Sequence, residues 1–195
     1  MKNLKLSALA TTLALACGSA FAADSTSTIS QSGDGNNATT TQTFANASSA
    51  SVSQTGDNNA AGVTQGSSEN AVNGATASVT QNGNGHVATI DQQHSTNAMH
   101  ATISQSGANN NGSISQRDTW FSNATIIQSG NAGVASIVQA AFTDNSNAVI
   151  NQGGFSGEAR ITQVGAGSTA TINQNTGANP NGWRSPPCPR RRLCR

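Results

Sequence analysis

The sequence predicts an all-β chain: a β-solenoid of about six to seven stacked strand-turn-strand rungs in cross-β arrangement. Three observations carry this. A polar phrase, Q-x-G-x-x-N-x-A-x-x-x-Q, returns at intervals of 23, 27, 24, 23 and 24 residues. Its apolar and amide positions fall two residues apart, which is the period of a strand and not of a helix. Finally, no leucine stands between residues 16 and 192, no lysine follows Lys5 and tyrosine is absent, so a helical or mixed core lacks its usual material.

The glutamines fix the units. The first Gln of the phrase stands at Gln31, Gln54, Gln81, Gln105, Gln128 and Gln152. The second follows eleven residues later, at Gln42, Gln65, Gln92, Gln116, Gln139 and Gln163, and a further phrase runs from Gln163 to Gln174. Of fourteen glutamines, only Gln93 lies outside these slots, which random polar composition does not produce. Two residues before the first Gln stands Ile29, Val52, Val79, Ile103, Ile126 or Ile150. Two before the second stands Thr40, Val63, Ile90, Ile114, Ile137 or Ile161, then Ile172. These β-branched residues suit a pleated, half-buried surface.

Glycine follows two residues after each opening Gln, at Gly33, Gly56, Gly83, Gly107, Gly130, Gly154 and Gly165. With the polar residues behind it, it predicts a turn. The Asn position is looser and holds Asn36, Asn59, His86, Asn110, Gly133, Gly157 and Ser168. One strand-turn-strand unit cannot bury its own inner face, but stacked units can. Stacking sets Ile and Val into an apolar spine and lets the Gln amides bond along each column, as in cross-β ladders. Outward positions are expected to be polar. Asp91, Glu158 and Arg160 fall in outward slots, while Arg117, Asp118 and Asp144 are placed in connections. A stack of like rungs ends in open edges that template another chain, so the pattern predicts end-to-end polymerisation with copies of itself.

The flanks differ from the repeats. Lys2 and Lys5, the apolar run "LSALATTLALA" at residues 6–16 and the "AFA" at 20–22 read as a signal peptide, residues 1–22, cleaved after Ala22. A lipoprotein acylated at Cys17 is the competing reading. The run is too short to span a bilayer, and no transmembrane segment is expected. Residues 23–175 form the repeat region. Residues 176–195 form a basic Pro/Arg/Cys tail, expected to be disordered, that is either a surface-anchoring arm or an end foreign to the pattern; Cys188 and Cys194 could pair there in an oxidising compartment. Between leader and tail, eight acidic residues stand against Arg117 and Arg160, a formal −6 that argues against nucleic acid.

No catalytic constellation, cofactor motif or metal set is evident, so no enzyme is expected. His86, with His94 and His100 nearby, reads as solvated turn histidine rather than metal ligand. "GNGHVA" from Gly83 is close to a dinucleotide fingerprint, but it recurs as "GDGNNA" with no helix pattern behind it. Asp34 and Asp57 are too few for β-roll calcium sites and read instead as gatekeepers that slow aggregation.

At these glutamine, glycine and β-branched columns, over residues 28–175, the chain resembles the curlin-repeat family, the subunits of bacterial curli amyloid fibres. The resemblance implies a β-solenoid that assembles outside the cell, in a pilus-like fibre at the bacterial surface, with roles in biofilm matrix and surface adhesion. It implies as partners a nucleator or major curlin subunit and the curli secretion machinery. Two other classes stay open from the sequence: a secreted soluble solenoid that binds without polymerising, such as an ice-binding or adhesin domain, and a disordered secreted polypeptide.

Overall fold

The computed structural model describes residues 24–176 except 70, 96 and 141. The leader and its Cys17, and the tail from residue 177 with Cys188 and Cys194, lie outside the described residues. Fifteen strands follow in chain order: β1 (Thr26–Ser32), β2 (Asn37–Gln42), β3 (Ala45–Asn46), β4 (Ser49–Thr55), β5 (Ala60–Gln65), β6 (Val72–Asn73), β7 (Thr76–Asn84), β8 (Val87–Gln93), β9 (His100–Ala108), β10 (Asn111–Arg117), β11 (Asn123–Asn131), β12 (Val134–Ala140), β13 (Asn147–Phe155), β14 (Glu158–Val164) and β15 (Thr169–Thr176).

The opening strands of the rungs stack as a seven-stranded sheet, β1-β4-β7-β9-β11-β13-β15, and the closing strands as a six-stranded one, β2-β5-β8-β10-β12-β14. Each β1–β4-type pair is parallel and in register, so that Ile29 lies beside Val52 and Gln31 beside Gln54. The fold is the expected β-solenoid, of about six turns, and among the described residues it contains no helix. Register is strict because a one-residue slip would turn every Ile and Gln outward.

The two sheets share one core. Val52, Val63, Val79, Ile90, Ile103, Ile114, Ile126, Ile137 and Ile150 are buried between them, with Ala50, Ala61, Ala77, Ala88, Ala101, Ala124, Ala135 and Ala148. A buried aliphatic side chain contributes about 1.5–3 kcal/mol, and small alanines beside branched residues let the sheets approach. Ile29 and Ile172 close the ends of the core and are only partly buried.

The structure departs from the sequence reading in several places. β3 and β6 pair as a small third sheet in the connections, with Val72, Ala75 and Met99 forming a second core beneath it. Arg117 ends β10 instead of lying in a connection. β15 runs to Thr176, one residue past the expected boundary. In β7, β9, β11 and β13 the strand continues through Gly83, Gly107, Gly130 and Gly154, so these glycines are not confined to a turn. Outward slots are not uniformly polar: Val87, Ile127, Val134 and Val164 are exposed there. These side chains point away from the core, and a parallel sheet edge-locked by its neighbours holds them without inner contacts.

Candidate functional site: two glutamine ladders and the edges they open

Thirteen glutamines form two unbroken chains of side-chain hydrogen bonds. In the seven-stranded sheet Gln31 donates through Nε2 to Oε1 of Gln54 at 2.7 Å, Gln54 to Gln81 at 2.8 Å, Gln81 to Gln105 at 3.0 Å, Gln105 to Gln128 at 2.8 Å, Gln128 to Gln152 at 2.9 Å and Gln152 to Gln174 at 2.8 Å. In the other sheet Gln42 donates to Gln65 at 2.8 Å, Gln65 to Gln92 at 2.9 Å, Gln92 to Gln116 at 2.9 Å, Gln116 to Gln139 at 2.8 Å and Gln139 to Gln163 at 2.8 Å. Gln93 stays outside, its side chain donating to Asp91 Oδ1 at 2.8 Å.

From Gln42 on, a second N–H of the amide is used as well. In most rungs it reaches a backbone carbonyl of the opposite sheet, as from Gln54 to Asn37 at 3.1 Å, Gln105 to Val87 at 2.9 Å and Gln174 to Glu158 at 2.8 Å, and in Gln116 it reaches the Ser122 carbonyl in a connection. A buried amide without partners costs about 1–3 kcal/mol; here each interior glutamine satisfies its two donors and its acceptor while tying the sheets together. All the ladder bonds point the same way, donors toward the C-terminal end and acceptors toward the N-terminal end.

The glycines stack just as closely. A Cβ on Gly33, Gly56, Gly83, Gly107 or Gly130 would overlap the carbonyl oxygen of the glycine one rung on. Gly33, Gly56, Gly83, Gly107 and Gly154 also have positive φ, from 96° to 138°. Both facts select glycine at this column. Asp57 serves the same arcs: its Oδ1 accepts from the Asp34 N–H at 2.9 Å, and its own N–H donates to Asn84 Oδ1 at 2.8 Å. That capping role went unnoticed in the sequence, although Asp-Asn-type residues in a turn are its signal.

His86 corrects an expectation. It is fully buried in the Asn column, because the arc aims that position inward. Its Nδ1 accepts from the Asn110 N–H at 3.3 Å, where the neighbouring rungs use an asparagine Oδ1. Burial lowers its pKa, against the opposing pull of the Asn82 and Gly107 carbonyls. His94 is exposed and paired with Asp118, and His100 is exposed. Among the described residues no three His, Cys, Asp or Glu side chains come together as a metal site, and no helix is long and apolar enough to cross a membrane.

Among the described residues, nothing covers either end of the solenoid. At the N-terminal end Gln31 and Gln42 present Oε1 atoms that accept no bond from the described residues; at the C-terminal end Gln163 and Gln174 hold the last amides of their ladders.

Comparison with known proteins accords with this geometry. Residues 73–107 match the family model described as the curlin associated repeat. That stretch covers β7, β8 and most of β9, a full rung and the strand stacked on it. No curated protein matches the chain. The other rungs repeat the matched one strand for strand, in one register, so the likeness to the curlin associated repeat rests on residues 73–107 and the rungs stacked on them.

Proposed function

We propose that the chain is a structural subunit of extracellular, curli-like amyloid fibres, polymerising with its own kind at the cell surface. The observation that carries the reading is that two amide ladders and two parallel sheets run the length of the fold and, among the described residues, end without a cap. An unpaired row of N–H and C=O groups beside stacked amides is a template for another identical edge. The leader-like residues 1–22 support export, and the curlin associated repeat supports a fibre that serves biofilm matrix and adhesion. A nucleator or major curlin subunit and a dedicated secretion pore are the partners this reading calls for. The glutamine columns are then the growth machinery and the glycines its close-packing points.

The test is assembly itself. The chain from Ala23, which contains every described strand, is expected to polymerise after a lag that preformed seeds abolish. The fibres should diffract at about 4.7–4.8 Å along the axis and about 10 Å across it. A monodisperse monomer that persists for days at high concentration refutes the reading and favours a soluble solenoid.

A further inference from the structure

The described solenoid ends on a half rung. Seven strands stand in one sheet and six in the other, so β14 has an open outer edge half a rung below that of β15. The sequence after Gln174 does not repeat the phrase. Seven, nine and eleven residues on, where Ala, Ile and Gln are due, stand Asn181, Trp183 and Ser185, among prolines that have no N–H to give.

Two further features bear on what fits this step. The first is that both sheets present the same inner columns. β14 offers Ala159, Ile161 and Gln163, and β1 has Ser27, Ile29 and Gln31 at the matching positions. β15 offers Ala170, Ile172 and Gln174, and β2 has Ala38, Thr40 and Gln42. The second is the shape of the last arc. Elsewhere the link from the six-stranded to the seven-stranded sheet is longer, with 12 to 16 residues from Gln to Gln, but Gln163 and Gln174 are eleven apart, like Gln31 and Gln42. Gly165 and Gly167 have φ of 99° and 69°, against 110° and 67° at Gly33 and Gly35. Nothing lies within 4 Å of a Cβ built on Gly165 or Gly167, whereas Gly33 and Gly35 are closely covered by the next rung.

The geometry points to a second copy of this chain, turned by half a revolution about the solenoid axis, as the occupant of the step. β1 of the incoming copy lies on β14 and its β2 on β15, so the sheets exchange roles at every joint. The strand directions agree, because the two sheets run oppositely and a half-turn interchanges them. Gln163 then donates to the incoming Gln31 and Gln174 to the incoming Gln42. The second N–H of the incoming Gln31, which has no partner among the described residues of its own chain, reaches the Thr169 carbonyl. This repeats the interior rule by which Gln174 reaches Glu158. The arc at Gly33 covers the arc at Gly165. A copy added without the turn would set β1 on β15 and leave β14 facing β2 across an empty strand position.

This inference rests on the assembly reading above and fixes the joint that reading leaves open. Fibres are grown from the chain starting at Ala23 with Cys188 and Cys194 replaced by serine, and oxidised. With Thr162→Cys and Ser30→Cys the outward cysteines of β14 and the incoming β1 sit on adjacent parallel strands, within disulfide reach. This pair is expected to link chains into a ladder of multimers on a non-reducing gel. Asn173→Cys with Ser30→Cys is expected to remain unlinked. Electron microscopy of the fibres is expected to give a rise of about 31 Å per chain, with a half-turn added to the sheet twist. Linking through Asn173 with a rise of about 34 Å, or linking by neither pair, overturns the half-turn joint while fibre formation stands. If the chain forms no fibres, the assembly reading falls and the joint with it.

Discussion

Gln105→Ala tests the ladder at an interior rung. In the intact chain Gln105 Nε2 donates to Gln128 Oε1 at 2.8 Å and to the Val87 carbonyl at 2.9 Å, and its Oε1 accepts from Gln81 Nε2 at 3.0 Å. Alanine removes all three bonds at once. One N–H of Gln81, the Oε1 of Gln128 and the Val87 carbonyl lose their partners, in a core where Gln81 and Gln128 are each about 1% exposed. At about 1–3 kcal/mol per group the loss is roughly 3 kcal/mol or more, a large share of the ~5–15 kcal/mol that holds a folded domain together. Gln93→Ala is the matched control. Gln93 is half-buried and its amide donates to the Asp91 carboxylate outside the ladders, so its removal belongs with surface changes of about ±0.5 kcal/mol. The assay is guanidinium denaturation followed by circular dichroism, on soluble folded chain or on fibres. Gln105→Ala is expected to lower the midpoint sharply and Gln93→Ala to leave it in place. Equal midpoints for the two variants would refute the argument, since the glutamines would then act through composition and not through their columns.

Position along the stack matters for growth: Gln31→Ala and Gln174→Ala, at the open ends, should lengthen the assembly lag at equal concentration more than Gln105→Ala, and equal lags would detach the end rungs from growth. Gly107→Ala should abolish the fold, because its Cβ overlaps the Gly130 carbonyl at a φ of 96°, whereas Gly62→Ala meets nothing within 4 Å and should be silent; circular dichroism separates them. The pKa of His86 lies below its ordinary value in the folded chain, so above pH 6.5 the imidazole is neutral in both states and costs nothing. As pH falls below 6.5 the unfolded chain takes up the proton first, and stability is lost through that window. His86→Asn should flatten this part of the stability profile, and a profile unchanged by the substitution would contradict it.

The stacked architecture was legible in the sequence because its neighbours in space are copies of one phrase. Gln31 lies beside Gln54 for the same reason that both stand two residues after Ile or Val, so the period of the text became the register of the sheet. The reason for the glycines was not legible. In sequence Gly107 reads as a turn former; in the structure β9 runs through it, and glycine is required by the approach of the Gly130 carbonyl one rung away. His86 misled for a related reason. Polarity suggested solvent, but the direction of the position is set by the arc, and its column points inward. β3 and β6 carry two residues each, too short for any periodic signal, and their pairing depends on how the connections of 12 to 16 residues from Gln to Gln happen to lie over one another.

The seven copies of the phrase also rank the forces in the fold, since each column records what its neighbours tolerate. The glycine column admits no exception: from Gly33 to Gly130 it is packed backbone to backbone, and a main-chain atom has nowhere to move. The glutamine columns admit none either, since each amide is donor to one rung and acceptor from another, so a single gap strands two neighbours. The Asn column is permissive. Asn36 and Asn59 each accept an N–H from the following rung, as His86 does through Nδ1 and Asn110 does from Gly133 at 2.9 Å. Yet Gly133 itself needs no side chain: Asn110 Oδ1 and Gln128 Nε2 lie 3.2 Å from where its Cβ would stand, so the neighbours already fill the space. A position whose bonds end at its own rung and the next can lapse without breaking a continuous chain of bonds, and a position inside a ladder cannot. The looseness of the Asn column is therefore what the stacked structure requires, and does not argue against the repeat.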